Sequence, residues 1–157
     1  MANTMRWRYG DTNPVLLPVE SATLIEIGDL VYQTSGAARP ASALADAGTL
    51  AANLEALHDL FAGVAMQCSP AGSAEPVRVA TSGVFEMPCA SATVEVGDLL
   101  GGEEDGSGMA LESQMVAKVA AANLAVGRCA KRVNPAGERV LVDVVSTILR
   151  GGPQAMA

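Results

Sequence analysis

Leu24-Ile25-Glu26-Ile27-Gly28-Asp29-Leu30-Val31 returns sixty-nine residues later as Thr93-Val94-Glu95-Val96-Gly97-Asp98-Leu99-Leu100. In each copy apolar residues alternate with others, a Gly-Asp step interrupts them, and aliphatics resume. Alternation predicts a strand, and Gly-Asp predicts a turn, because glycine accepts positive φ and aspartate bonds its own backbone. The likeness continues downstream. Phe61-Ala62-Gly63-Val64-Ala65 is answered by Ala125-Val126-Gly127-Arg128-Cys129-Ala130, and Val77-Arg78-Val79-Ala80-Thr81-Ser82 by Val140-Leu141-Val142-Asp143-Val144-Val145-Ser146. Two copies are too few for a solenoid. They predict a mainly β protein, a small β-barrel or sandwich built from two related halves.

The chain between these landmarks reads as short strands and turns. Strands are expected from Ala22 to Tyr32, from Val64, from Val77 to Met87 with Pro88 as the stop, and from Gln114 to Ala120. Residues 111–126 also fit a helical spacing through Leu111, Met115, Val119 and Ala122, so strand and helix both stay open there. Asn134-Pro135-Ala136-Gly137 reads as a hairpin turn. One inserted α-helix is expected at about 49–61. Leu50, Leu54, Leu57 and Phe61 form an apolar stripe, Thr49 is the N-cap and Gly63 the stop. Residues 1–20, punctuated by Asn13-Pro14 and Leu17-Pro18, read as an extended amino-terminal arm. Residues 21–150 read as a single β-rich domain and 151–157 as a flexible tail.

Composition narrows the function classes. The chain has 157 residues and a formal charge of −7, with ten basic residues of which only Lys131 and Arg132 are adjacent. That balance speaks against direct nucleic-acid binding, which needs clustered cations to displace counterions. No stretch approaches the ~20 apolar residues of a membrane span, and no amino-terminal apolar run suggests a leader. The five aromatics are Trp7, Tyr9, Tyr32, Phe61 and Phe85, so the core has few large anchors and self-association is expected to add burial.

The sequence holds no recognisable catalytic, cofactor or metal constellation. His58 is the only histidine, and no orienting group or oxyanion motif accompanies it. Cys68, Cys89 and Cys129 have no zinc-ligand spacing and read as small buried hydrophobes. Gly101 to Gly108 reads as an exposed acidic loop without the Lys-Ser/Thr of a phosphate cradle. Glu26/Glu95 and Asp29/Asp98 are matched carboxylates whose place in the repeat marks them as solvent-facing and turn residues respectively. The strongest surface cue is Arg6-Trp7-Arg8-Tyr9, because Trp, Tyr and Arg dominate interface hot spots. These four are the candidate contact residues of the arm.

The order of Phe61-to-Ala65, Val77-to-Pro88 with its Gly83-Val84-Phe85, Val96-Gly97-Asp98-Leu99, Ala125-to-Ala130 and the final Val140-to-Ile148 strand resembles the capsid decoration, or cement, proteins of tailed bacteriophages. The resemblance covers most of residues 22–149, with the 49–61 helix as an insertion. It implies a non-enzymatic structural protein, commonly a homotrimer, that binds major capsid protein on the outside of the virion and stabilises the expanded shell. It also implies synthesis in the host cytoplasm. The arm's role as the capsid contact comes from its composition, and its deletion through Tyr9 is expected to spare the fold. The competing expectation is a small intracellular β-barrel adaptor of cellular origin, since small barrels serve many functions.

Overall fold

The computed structural model describes residues 3–107 and 110–155. Met1 and Ala2 of the expected arm, Gly108 of the expected acidic loop, and Met156 and Ala157 of the expected tail lie outside the described residues. Among the described residues eleven strands run in chain order: β1 (Trp7–Tyr9), β2 (Val15–Leu17), β3 (Leu30–Thr34), β4 (Ala37–Pro40), β5 (Phe61–Ala65), β6 (Val77–Ala80), β7 (Ser82–Val94), β8 (Leu99–Glu104), β9 (Leu111–Lys118), β10 (Gly127–Cys129) and β11 (Val133–Val145). Helix α1 (Leu50–Leu60) precedes β5, and the short α2 (Thr147–Arg150) follows β11.

The sequence repeat is a structural duplication. One sheet has the order β2-β6-β5-β3-β4, and the other, after its edge strand β1, runs β7-β11-β10-β8-β9. Registers match residue for residue. Val31 lies opposite Gly63 as Leu100 lies opposite Gly127, and Ala65 opposite Val79 as Cys129 opposite Val142. The Gly-Asp turns also superpose in detail. Gly28 and Gly97 have φ of 99° and 91°, and the Asp29 and Asp98 carboxylates each accept from the N–H of Glu26 or Glu95 at 2.9 Å. The turn thus opens β3 and β8 and does not interrupt a longer strand, so the strand expected from Ala22 begins only at Leu30.

Closure is also duplicated. β7 and β9 meet at Cys89 and Val116, closing the second copy into a five-stranded barrel. In the first copy the Ala38 N–H donates to the Pro18 carbonyl at 2.8 Å at the corresponding place. Each copy therefore has its own interior. Val15, Leu17, Val19, Ile25, Val31, Ala38, Ala62, Ala65, Val77 and Val79 fill the first. Their counterparts Phe85, Met87, Cys89, Val94, Leu100, Val116, Val126, Cys129, Val140 and Val142 fill the second. Burying this apolar surface drives the folding of both copies. Leu30, Tyr32, Phe61, Val64 and Ala80 point the other way and join the second copy's cluster together with Leu54 and Leu57 of α1.

The inserted helix is as expected at its start, where Thr49 Oγ1 accepts from Ala52 N–H at 3.1 Å. Its end differs: Phe61 is the C-cap, and Gly63 lies inside β5. Residues 41–60 of the first copy correspond to the shorter 119–124 of the second, so α1 occupies the extra length. It packs over Gly102, where a Cβ would sit 3.2 Å from Leu57 Cδ2.

Three other expectations are corrected. Gly101 to Glu104 belong to β8 and are not loop, because side chains at the two glycines would meet the Leu124 carbonyl and α1. Pro88 does not end β7, which runs on to Val94. Glu86 donates its N–H to β1, and Pro88 shares that parity, so its missing N–H falls on the strand's outer edge, where proline is tolerated. Asn134-Pro135-Ala136-Gly137 is not a hairpin turn either. It forms the irregular stretch of β11 between the Val133–Val94 and Gly137–Ala92 pairs, a bulge that needs no ladder donor from proline. Of the two readings of 111–126, residues 111–118 are strand.

Candidate functional site

The amino-terminal segment is extended and stitched along both copies. Thr4 N–H donates to the Ile27 carbonyl at 3.0 Å, and Asn3 Oδ1 accepts from Ile27 N–H at 2.6 Å. β1 then pairs with β7, the Thr12 carbonyl accepts from Thr81 and Ser82, and β2 pairs with β6. Both strands are sheet edges, as the prolines of this stretch require.

Arg6 is unlike its three neighbours. It is only 7 % exposed, and its Nε and Nη2 donate to Gln114 Oε1 at 3.2 and 2.9 Å. Gln114 Nε2 in turn donates to Asp29 Oδ1 at 2.8 Å. One amide side chain thereby links an arginine of the segment, strand β9 and the turn of the first copy. Sequence reading missed Gln114, because a glutamine in an alternating strand carries no signal until its neighbours are known. Burying a guanidinium beside Arg139 and Arg8 holds Arg6 below its ordinary pKa.

Trp7 and Tyr9 are 41 % and 52 % exposed, and Trp7 Nε1 donates to the Gly10 carbonyl at 3.0 Å, which orients the indole. Arg8 reaches Glu86 at 3.5 Å, and Arg139 reaches the same carboxylate at 3.2 Å. Exposed pairs of this kind contribute at most about 1 kcal/mol. Their effect is on charge: Glu86, Lys131, Arg132 and Arg139 line a shallow cleft of 240 Å³, which gathers cations on one face of an acidic chain. Met5 and Leu16 continue the exposed apolar surface of the segment.

His58 Nδ1 lies 2.7 Å from the Ala125 carbonyl and ties α1 to the approach to β10. Cys89 and Cys129 stand where the first copy has Val19 and Ala65, and burial pushes both thiols above their ordinary value. Cys68 is exposed. Among the described residues, no group of three or more His, Cys, Asp or Glu could hold a metal. No helix among the described residues is long and apolar enough to cross a membrane.

The twin aspartates titrate in opposite directions. Burial raises Asp29, whereas the Glu95 N–H and then Lys118, at 3.0 Å, lower Asp98. A depressed folded-state pKa stabilises above the unfolded value and loses that contribution as pH falls; a raised one stabilises below it and loses it as pH rises. Urea unfolding between pH 3 and 7 should therefore show the deficit of Asp98→Asn shrinking below about pH 4. The deficit of Asp29→Asn should instead shrink as pH rises. Parallel trends for the two would contradict this assignment.

The amino-terminal segment thus forms a latched edge strand that presents exposed aromatics on a duplicated β framework. A family model for phage cement proteins matches residues 39–144, from the end of β4 into β11. The chain belongs to the phage cement protein family, whose members are structural components of the virion capsid. No curated protein matches it.

Proposed function

We propose that this protein is a non-enzymatic decoration protein that binds the outer surface of the expanded capsid as a homotrimer, bridging neighbouring major capsid subunits and stabilising the shell. The observation that carries the reading is the exposed Trp7-Arg8-Tyr9 strand, anchored by buried Arg6, in a member of the cement family. A ligand that binds only the expanded lattice shifts the equilibrium towards it by mass action. Repetition over many sites, with three arms per trimer, multiplies weak contacts into avidity.

Sedimentation with purified expanded and unexpanded shells tests this directly. The protein should pellet with expanded shells and raise their melting temperature; pelleting with neither form refutes the proposal. The arm is tested by substitution, because deletion through Tyr9 would remove Arg6 from Gln114 and open the edge of β7. Trp7→Ala with Tyr9→Ala should leave unfolding nearly unchanged and weaken shell binding roughly thirtyfold, the effect of losing about 2 kcal/mol of hot-spot contact. Unaltered shell affinity would place the contact elsewhere.

A further inference from the structure

The duplication leaves the two sheets unequal at one edge. In the second copy the outer edge of β7 carries β1, with the Glu86 N–H donating to the Arg6 carbonyl at 2.8 Å. The equivalent strand of the first copy is β2; among the described residues no strand pairs with its outer edge, and β4 reaches that side only just beyond it, at Pro18. The local hydrogen bonds show what that edge presents. Arg78 N–H donates to Gln67 Oε1 at 2.9 Å, and the Arg78 carbonyl accepts from Met66 N–H at 2.8 Å, both on the β5 side. Leu16 lies opposite Arg78, so its own N–H and C=O point away from β6. Its side chain is 63 % exposed.

β1 ends the other sheet in the same way. The Glu86–Arg6 bond flanks the Trp7–Phe85 pair, which turns the Trp7 N–H and C=O away from β7. A 3.4 Å contact from Arg8 Nη1 is the one hydrogen bond to that carbonyl among the described residues. Protected edges carry lysines, inward charges or bulges that repel a partner strand. β1 has an irregularity between Trp7 and Tyr9 and the inward Arg6 beside it, yet neither edge carries a lysine, and together they expose Trp7, Tyr9 and Leu16.

We propose that β1 of one copy pairs antiparallel with β2 of a second copy. The two edges are each three residues long. The sister edge on β7 already accepts β1 within the chain, in the antiparallel sense, and the duplicated framework places an edge of the same kind at β2. Each chain offers one edge of each kind, and pairing unlike edges satisfies both at once. Such a head-to-tail contact closes into a ring when its rotation permits. The inference rests on the self-association included in the proposed function and assigns its seam.

The test uses full-length protein carrying Cys68→Ser, with Trp7→Cys in one preparation and Leu16→Cys in another, treated with a short bis-maleimide. Cross-linked dimers should form in the mixture and in neither preparation alone. Leu16→Pro removes the outward N–H without touching the β6 ladder. It should reduce the mass measured by light scattering to that of the single chain, with unchanged far-ultraviolet dichroism. A monomeric parent protein at high concentration overturns the proposal, as does an assembly that survives Leu16→Pro without a 7–16 cross-link. Self-linking of the Trp7→Cys protein would indicate a symmetric β1 contact, and linking of Leu16→Cys to a shell subunit would give this edge to the shell; either overturns the proposal. Sedimentation of the parent protein with shells, together with no 7–16 link between the two cysteine variants, sinks the seam and leaves the capsid reading standing.

Discussion

Gly63→Ala is expected to prevent the protein from folding to a soluble form, or to lower its stability by about 4 kcal/mol or more, a large part of the 5–15 kcal/mol typical of a domain. A Cβ at Gly63 would lie 1.8 Å from the Ala80 carbonyl oxygen and 2.8 Å from its carbon. Those are backbone atoms of the adjacent strand, so no side-chain rotation relieves the clash. β5 and β6 would have to separate, and they form the middle of the first barrel. The φ of 150° at Gly63 adds backbone strain. A Cβ at its counterpart Gly127 would lie 2.8 Å from Val142 Cγ1 and closer still to the Asp143 carbonyl oxygen, and Gly127→Ala should be severe for the same steric reason. Gly97→Ala is the control. Nothing lies within 4 Å of a Cβ there, so only the turn strain of about 1 kcal/mol remains. Soluble expression and urea unfolding of the three variants should separate the first two clearly from the third. Comparable stabilities would show that β5 and β6 do not approach so closely.

Gln114→Leu should cost about 3–5 kcal/mol, lowering the melting temperature by roughly 10 °C. Leucine fills a similar volume but leaves the Arg6 guanidinium and one oxygen of Asp29 without the amide that links them. Removing one partner from a buried charged network is far more destabilising than its small net contribution suggests, because the remaining charges stay desolvated. Gln114→Glu should fall between leucine and the parent: it pairs with Arg6 but faces the Asp29 carboxylate. Trp7 is the only tryptophan and adjoins Arg6, so its fluorescence reports whether β1 detaches before the barrels unfold. A Gln114→Leu protein within 1 kcal/mol of the parent, with unchanged fluorescence, would show that the network does not hold the segment.

These two effects differ in how far the sequence discloses them. Gly63 and Gly127 occupy matched positions of a visible repeat, yet the need for glycine there is steric and appears only when β6 and β11 are laid alongside. Cys89 and Cys129 were legible as small buried hydrophobes. Why those positions are interior follows only from their pairing with Val19 and Ala65 across the two copies. The exposed Trp7 and Tyr9 were also legible as surface aromatics in a proline-bounded segment. Arg6 was not separable from them, since its burial depends on Gln114, more than a hundred residues away.

By itself the sequence determined the β class, the twofold repetition, the Gly-Asp turns and the helix capped by Thr49. All four depend on local rules: alternation, positive φ, carboxylate-to-backbone bonding and helical periodicity. The tertiary structure alone decided that each repeat is a barrel with its own interior, that the Asn134-to-Gly137 stretch continues a strand, and which side chains of the amino-terminal segment face out. Each of those is a question of which strand lies beside which. Pairing is set by long-range burial and register, for which a short stretch of chain carries no record.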